Sequence, residues 1–140
     1  MIDWNHKTKS APRWEPYRLI GTIGDHDVPQ VSPDLPAVDI AERLLVRART
    51  EALVVNGDGK PLGVVTAKQA MGTGTAGSLM TPISAVLHES VPLSVASSLM
   101  AGGDINHVAI VGERGRAVAL LSWKDVLAVL TSVPALPEVK

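Results

Sequence analysis

The residues whose types and spacing could do chemistry are Ser122 and Asp125, a Ser-x-x-Asp step inside the otherwise apolar run VALLSWKDVLAVL, residues 118–130. Two kinds of chemistry fit that step. At a helix start, a hydroxyl accepts from the amide three residues on, and the third side chain reaches back to the first residue's own amide, which makes a capping box. A carboxylate there is also an acceptor-only group that can take both vicinal hydroxyls of a ribose, while the helix start suits a phosphate. Aspartate is shorter than the glutamate or glutamine of a capping box, so Asp125 is expected to reach back poorly and to want a second explanation.

A parallel step sits earlier, in VVTAKQAM, where Thr66 and Gln69 satisfy the capping rule completely. The lysines inside the two steps, Lys68 and Lys124, fall on exposed first turns from which an ammonium could reach a phosphate. A solvated lysine explains either equally well.

The elements that must position these residues are written twice. VSPDLPAVDIAERLL (31–45) lies against VLHESVPLSVASSLM (86–100), with Val31 on Val86, Ala41 on Ala96 and Leu44 on Leu99. EALVVNGDGKPLGVVTAKQAM (51–71) then lies against HVAIVGERGRAVALLSWKDVL (107–127), with one extra residue in the second copy near AGGD. Each copy reads as an extended lead-in, a helix, two strands about a tight turn, and a second helix. Val38, Ala41, Leu44, Leu45 and Ala48 recur at spacings of three and four and predict an amphipathic helix, with Asp39, Glu42, Arg43 and Arg47 toward water. The four strands are continuous apolar runs, which predicts sheets covered on both faces. NGDGK and GERGR supply the turns. A copy of about 45 residues rarely buries enough surface alone, so the two must share a core.

The chain has 140 residues, 46% of them hydrophobic and 19% charged, with a formal net charge of −1 and no cysteine. That excludes thiolate nucleophiles, disulfides and cysteine zinc sites, and gives no electrostatic footprint for nucleic acid. With three tryptophans, one tyrosine and no phenylalanine, a flat ligand would lie on aliphatic side chains. No apolar run is long enough for membrane insertion, so a cytoplasmic protein is expected. Residues 1–19 read as an N-terminal arm or tail, 73–78 as a Gly-rich linker lacking the lysine of a Walker loop, and 133–140 as a C-terminal tail. DHD, 25–27, offers ligand-type side chains whose alternating directions suit no single metal ion. Nothing in the spacing of Ser122, His88 and His107 assembles a nucleophile and base, so no catalytic residue and no enzyme is expected.

The tandem of amphipathic helix, INHVAIV, glycine turn, apolar strand and SWKD resembles the cystathionine β-synthase (CBS) domain pair, or Bateman module, over roughly residues 20–132. The resemblance implies an α+β fold of two βαββα motifs, 20–72 and 79–132, packed through their sheets about a pseudo-twofold axis, and a homodimer. It implies an adenosine ligand, AMP, ADP, ATP or S-adenosylmethionine, through which an unknown partner protein is regulated. The family's Ser/Thr-x-x-Asp falls in full on Ser122 and Asp125 and by half on Thr66 and Gln69. Asn106 and His107 stand where the family often carries phosphate contacts, and the lead-in containing Val86 and His88 would face the adenine. The expected nucleotide site is therefore Ser122, Lys124, Asp125, Asn106, His107, Val86 and His88, with a weaker one at Thr66 and Lys68. Thr50 and Glu51 hold the first copy's matching positions, and a glutamate there would repel phosphate. The alternative is a ligand-free homodimeric scaffold in which both steps are only caps.

Overall fold

In the computed structural model, which describes residues 17–131, the four apolar runs are strands whose middles are buried. The arm up to residue 16 and the tail from residue 132 lie outside the described residues. The first sheet runs β1 (Gln30–Val31), β2 (Glu51–Val55), β3 (Pro61–Thr66), with α1 (Ala37–Arg47) crossing from β1 to its parallel neighbour β2. After α2 (Ala76–Leu79) the short β4 (Thr81–Pro82) joins the far edge of this sheet. The second sheet repeats the plan with β5 (Val86–His88), α3 (Leu93–Gly103), β6 (His107–Val111) and β7 (Ala117–Ser122), closed by α4 (Trp123–Thr131). The β2–β3 and β6–β7 pairs carry a register shift at the same place, Val54/Val55 and Ile110/Val111. The predicted pair of βαββα units is thus the observed architecture.

The strands have two covered faces because two layers pack on them. In the first half, Ala52, Val54 and Val65 turn to α1 and meet Ile40 and Leu44. In the second, Val108, Ile110, Ala119 and Leu121 meet Leu93, Ala96, Met100 and Val126. The alternate residues, Leu53 and Val64 from one sheet and Ala109 and Leu120 from the other, form a third core between the sheets. This is the shared core that two small copies require.

The repeat is regular where the sequence comparison put a slip. Both helices start after a proline, Pro36 and Pro92, and both end on a left-handed residue, Ala48 and Asp104. Their buried faces, Ala37, Ile40, Leu44 and Leu93, Ala96, Met100, keep one offset of 56 residues, the separation of Glu51 and His107. Small apolar residues on every side of α3 let the pattern match equally well one residue out of place. The same ambiguity misassigned α1: Val38 and Leu45 are exposed at 72% and 81%, and Ala48 is the cap.

The second helix of the first copy is not a helix of comparable length. Where DVLAVL continues as α4, AMGTGTAG breaks after a 3₁₀ turn at Gln69–Met71, because glycines at 72 and 74 oppose helix propagation. The expected linker is instead sewn to its own half. Ala37 N donates to Gly74 O, Ala76 N to Leu35 O and Gly77 N to Pro33 O, and Ala76 is fully buried.

The segment before β1 crosses to the other half. Ile20 lies in the second copy's core, Ile20 N and Gly21 N donate to Val91 O and Glu89 O, and Asp25 exchanges backbone hydrogen bonds with Leu120 of β7. Leu19, counted with the arm in the sequence reading, pairs with Pro92.

Candidate functional site

Ser122 ends β7 and Asp125 sits in the first turn of α4. The Asp125 amide donates to Ser122 Oγ at 3.1 Å, and the Ser122 amide donates to Asp125 Oδ2 at 3.0 Å. The expectation that aspartate reaches back poorly is therefore wrong. The strand runs straight into the helix with no intervening residue, which brings the two backbones close enough for the shorter side chain. Thr66 and Gln69 make the same reciprocal pair at 3.2 and 2.8 Å, and Gln69 goes on to donate to Thr81 Oγ1. Both steps are complete capping boxes, and of the two only the Ser122 step carries a carboxylate.

That carboxylate faces a cleft of about 310 Å³ lined by Asp25, Arg49, Thr50, Glu51, Leu120, Ser122, Lys124 and Asp125. Both halves build it: the lead-in segment and the α1–β2 connection on one side, the β7–α4 junction on the other. A second cleft of about 150 Å³ is lined by Val64, Thr81, Pro82, Ile83, Ser84, Asp104, Ile105, Asn106 and His107. Thr81, Ile105, Asn106, His107 and Val64 repeat Asp25, Arg49, Thr50, Glu51 and Leu120 at the common offset, so the clefts are pseudo-twofold images.

The residues expected to form one nucleotide site are thus divided. Ser122, Lys124 and Asp125 share the larger cleft, while Asn106 and His107 line the smaller one. Val86 and His88 line neither; Val86 is 46% exposed, and His88 Nδ1 lies 2.8 Å from Ser90 Oγ. Thr66 and Lys68 do not line the smaller cleft, which Thr66's cap partner Gln69 touches only through Thr81. Asp25, Arg49, Thr50, Glu51 and Leu120 are the lining residues that the sequence reading left out of the site. The uniform repeat offset was the signal that could have found the polar ones, since it makes Thr50 and Glu51 the image of Asn106 and His107, with each pair in a cleft shared with the other copy's last strand.

Charges in the larger cleft are largely matched. Arg49 Nη1 lies 2.7 Å from Asp25 Oδ2 and its Nη2 lies 3.4 Å from Asp27 Oδ2, so two residues of DHD serve as partners of an arginine. His107 Nε2 lies 2.5 Å from Glu51 Oε2, with both side chains about three-quarters buried. The hydrogen bond from His107 holds the Glu51 carboxyl below its ordinary value, against the opposing pull of burial, and the charges of His107 and Lys124 add to the lowering. His107 of the smaller cleft and Glu51 of the larger one therefore form the wall between the two. Among the described residues no helix is long and apolar enough to cross a membrane, and no cluster of three or more His, Cys, Asp or Glu side chains is placed to hold a metal ion.

Comparison with solved structures returns the same architecture. CBSX2 in complex with AMP superposes with a TM-score of 0.67 at 20% identity, over 81% of this chain and 96% of that one. The CBS domain pair of MJ0100, in complex with 5′-methylthioadenosine and S-adenosyl-L-methionine, gives 0.70 at 19% identity over 84% and 98%. The CBS domain of a bacterial CNNM/CorC family Mg2+ transporter gives 0.74 at 13% identity over 87% and 80%. At such identities the likeness establishes the fold. A search of curated protein sequences gives no match. The family profile described as CBS domain matches twice, over residues 20–72 and 76–132, and with the doubled fold and its paired clefts this makes the chain a member of the CBS domain family.

Proposed function

We propose that this chain is a regulatory module that binds an adenosine-containing ligand in the Ser122–Asp125 cleft and passes its occupancy to a partner protein in the cytoplasm. The observation that carries the reading is the Asp125 carboxylate in the first turn of α4, opposite Arg49 and Thr50, in a cleft at the lower end of the range for small-molecule sites, roughly 300 Å³. One Asp125 oxygen holds the cap, and the other is the acceptor that ribose hydroxyls would use. The structures of related pairs described with AMP and with S-adenosylmethionine support the ligand class. Ser122 Oγ is committed to the cap and His107 to Glu51, an arrangement that suits a binding wall rather than a nucleophile and its base.

The exposed apolar residues Val38, Leu45 and Val46 of α1, and the exposed Met71, support a homodimer formed through the helical faces. Sedimentation of the wild type and of Leu45→Glu tests this: a dimer is expected for the first and a monomer for the second.

A thermal-shift screen with AMP, ADP, ATP and S-adenosylmethionine tests the ligand reading. A ligand at a hundred times its dissociation constant adds about 2.7 kcal/mol to the folded state. No shift with any of the four favours the second reading, a ligand-free scaffold. The observation behind that reading is that both polar steps are complete helix caps.

A further inference from the structure

The adenosine-binding reading of the larger cleft leaves open what the ligand carries at its 5′ carbon, and the lining side chains bear on that. Three carboxylates, Asp25, Glu51 and Asp125, stand against two cations, Arg49 and Lys124. Arg49 is already held between Asp25 and Asp27. Lys124 lies close enough to Glu51 to help hold its carboxyl ionised. The backbone offers a phosphate little more. At the start of α4 the Ser122 amide is taken by Asp125, the Asp125 amide by Ser122 Oγ, and the Trp123 amide by Asn106 O. Three of the amides that would make this junction attractive to anions are thus taken by the protein's own acceptors.

Resting on that reading, we infer that the Ser122 cleft selects adenosine ligands whose 5′ substituent is a neutral thioether or a cationic sulfonium over those with a phosphate chain, and that Glu51 is the residue that sets the preference. Glu51 reaches this place because it opens β2 beside the Thr50 turn, and His107, the cross-strand neighbour of Ser122, fixes its carboxylate against the β7–α4 junction. A phosphate entering there meets like charge in a partly desolvated site, whereas a sulfonium meets opposite charge. The selection works by rejection as much as by attraction.

Isothermal titration of the full chain with adenosine, 5′-methylthioadenosine, S-adenosylmethionine, AMP and ATP, at one salt concentration, tests this. S-adenosylmethionine and 5′-methylthioadenosine are expected to bind at least about tenfold more tightly than AMP or ATP. Glu51→Gln is expected to tighten AMP and weaken S-adenosylmethionine, each by about tenfold, while Asp125→Asn weakens all five ligands alike. Tighter binding of AMP or ATP by the wild type overturns the selectivity and leaves the adenosine-binding reading intact. Binding of none of the five overturns both. An unchanged ranking in Glu51→Gln removes Glu51 as the determinant. If that variant does not fold, the wild-type ranking and Lys124→Gln decide: the latter is expected to widen the gap in favour of the sulfonium, and a narrower gap counts against the inference.

Discussion

His107 and Glu51 hold the same position in the two halves of the molecule, 56 residues apart, and each is the other's partner across the wall between the clefts. Two identical residues at that position would set like beside like, glutamate on glutamate or imidazole on imidazole. The difference between the copies at this one place turns a symmetric clash into a hydrogen-bonded pair.

His107→Ala is expected to cost at most about 1 kcal/mol, because the pair is partly solvated. The pH dependence is the sharper readout. Glu51's carboxyl is depressed below its ordinary value of 4.5, so its contribution to stability is full above that pH and is lost as pH falls through the lower folded value. In His107→Ala the carboxyl moves back up and that part of the acid-side slope disappears, as NMR titration of Glu51 and urea unfolding across pH 3 to 6 would show. An unchanged Glu51 titration would mean that His107 is not its principal partner.

Asp125 caps α4 and, in the proposed function, also meets the ligand; two substitutions separate the two roles. Asp125→Ala removes the cap and the charge together, lowering stability by about 1 kcal/mol as well as weakening ligand. Asp125→Asn keeps an oxygen for the Ser122 amide and loses the charge. Its melting temperature is expected to stay near wild type while adenosine affinity falls by about tenfold or more. Equal affinity in wild type and Asp125→Asn would leave the carboxylate with capping alone.

Much of the fold was legible because its signals are local and doubled: continuous apolar strands, glycine turns, and two copies long enough to confirm each other. The site was less legible, for a geometric reason. Asn106 precedes and His107 opens β6 in the same copy as Ser122, and sequence proximity grouped them, but crossing the sheets about the pseudo-twofold axis sends them to the other cleft. The reach of Asp125 was likewise a matter of backbone approach at the β7–α4 junction, which side-chain length alone misjudges. In α1, Leu44 and Leu45 are indistinguishable by type, and only the cap positions determine which one faces the core.

The core between the sheets makes the halves one cooperative unit. Leu53 is fully buried and Leu120 nearly so, on opposite sheets. Leu53→Ala or Leu120→Ala is expected to cost about 2 to 5 kcal/mol. Calorimetry should show one transition moved down as a whole in either variant. Two separated transitions would mean that the copies unfold independently.

Gly21 is where the lead-in segment presses closest on the second half. A Cβ added there would stand 2.9 Å from the carbonyl oxygen of Glu89, which is backbone and cannot step aside. Gly21→Ala is expected to cost about 1 to 3 kcal/mol. It should also loosen ligand binding, although Gly21 does not line the cleft, since the same segment delivers Asp25 to it. Titration calorimetry on the folded variant would read the second effect, and wild-type affinity would disconnect the segment from the site.

That segment makes the cleft a mechanical terminal of the chain. From Arg18 to Asp25 the backbone is laced to β7 and to the turn before α3 by hydrogen bonds pulled open in series, like a zipper whose last tooth is the Asp25–Leu120 pair at the rim of the ligand cleft. Tension applied at Tyr17 is therefore expected to reach Asp25 at the rim of the cleft through these bonds.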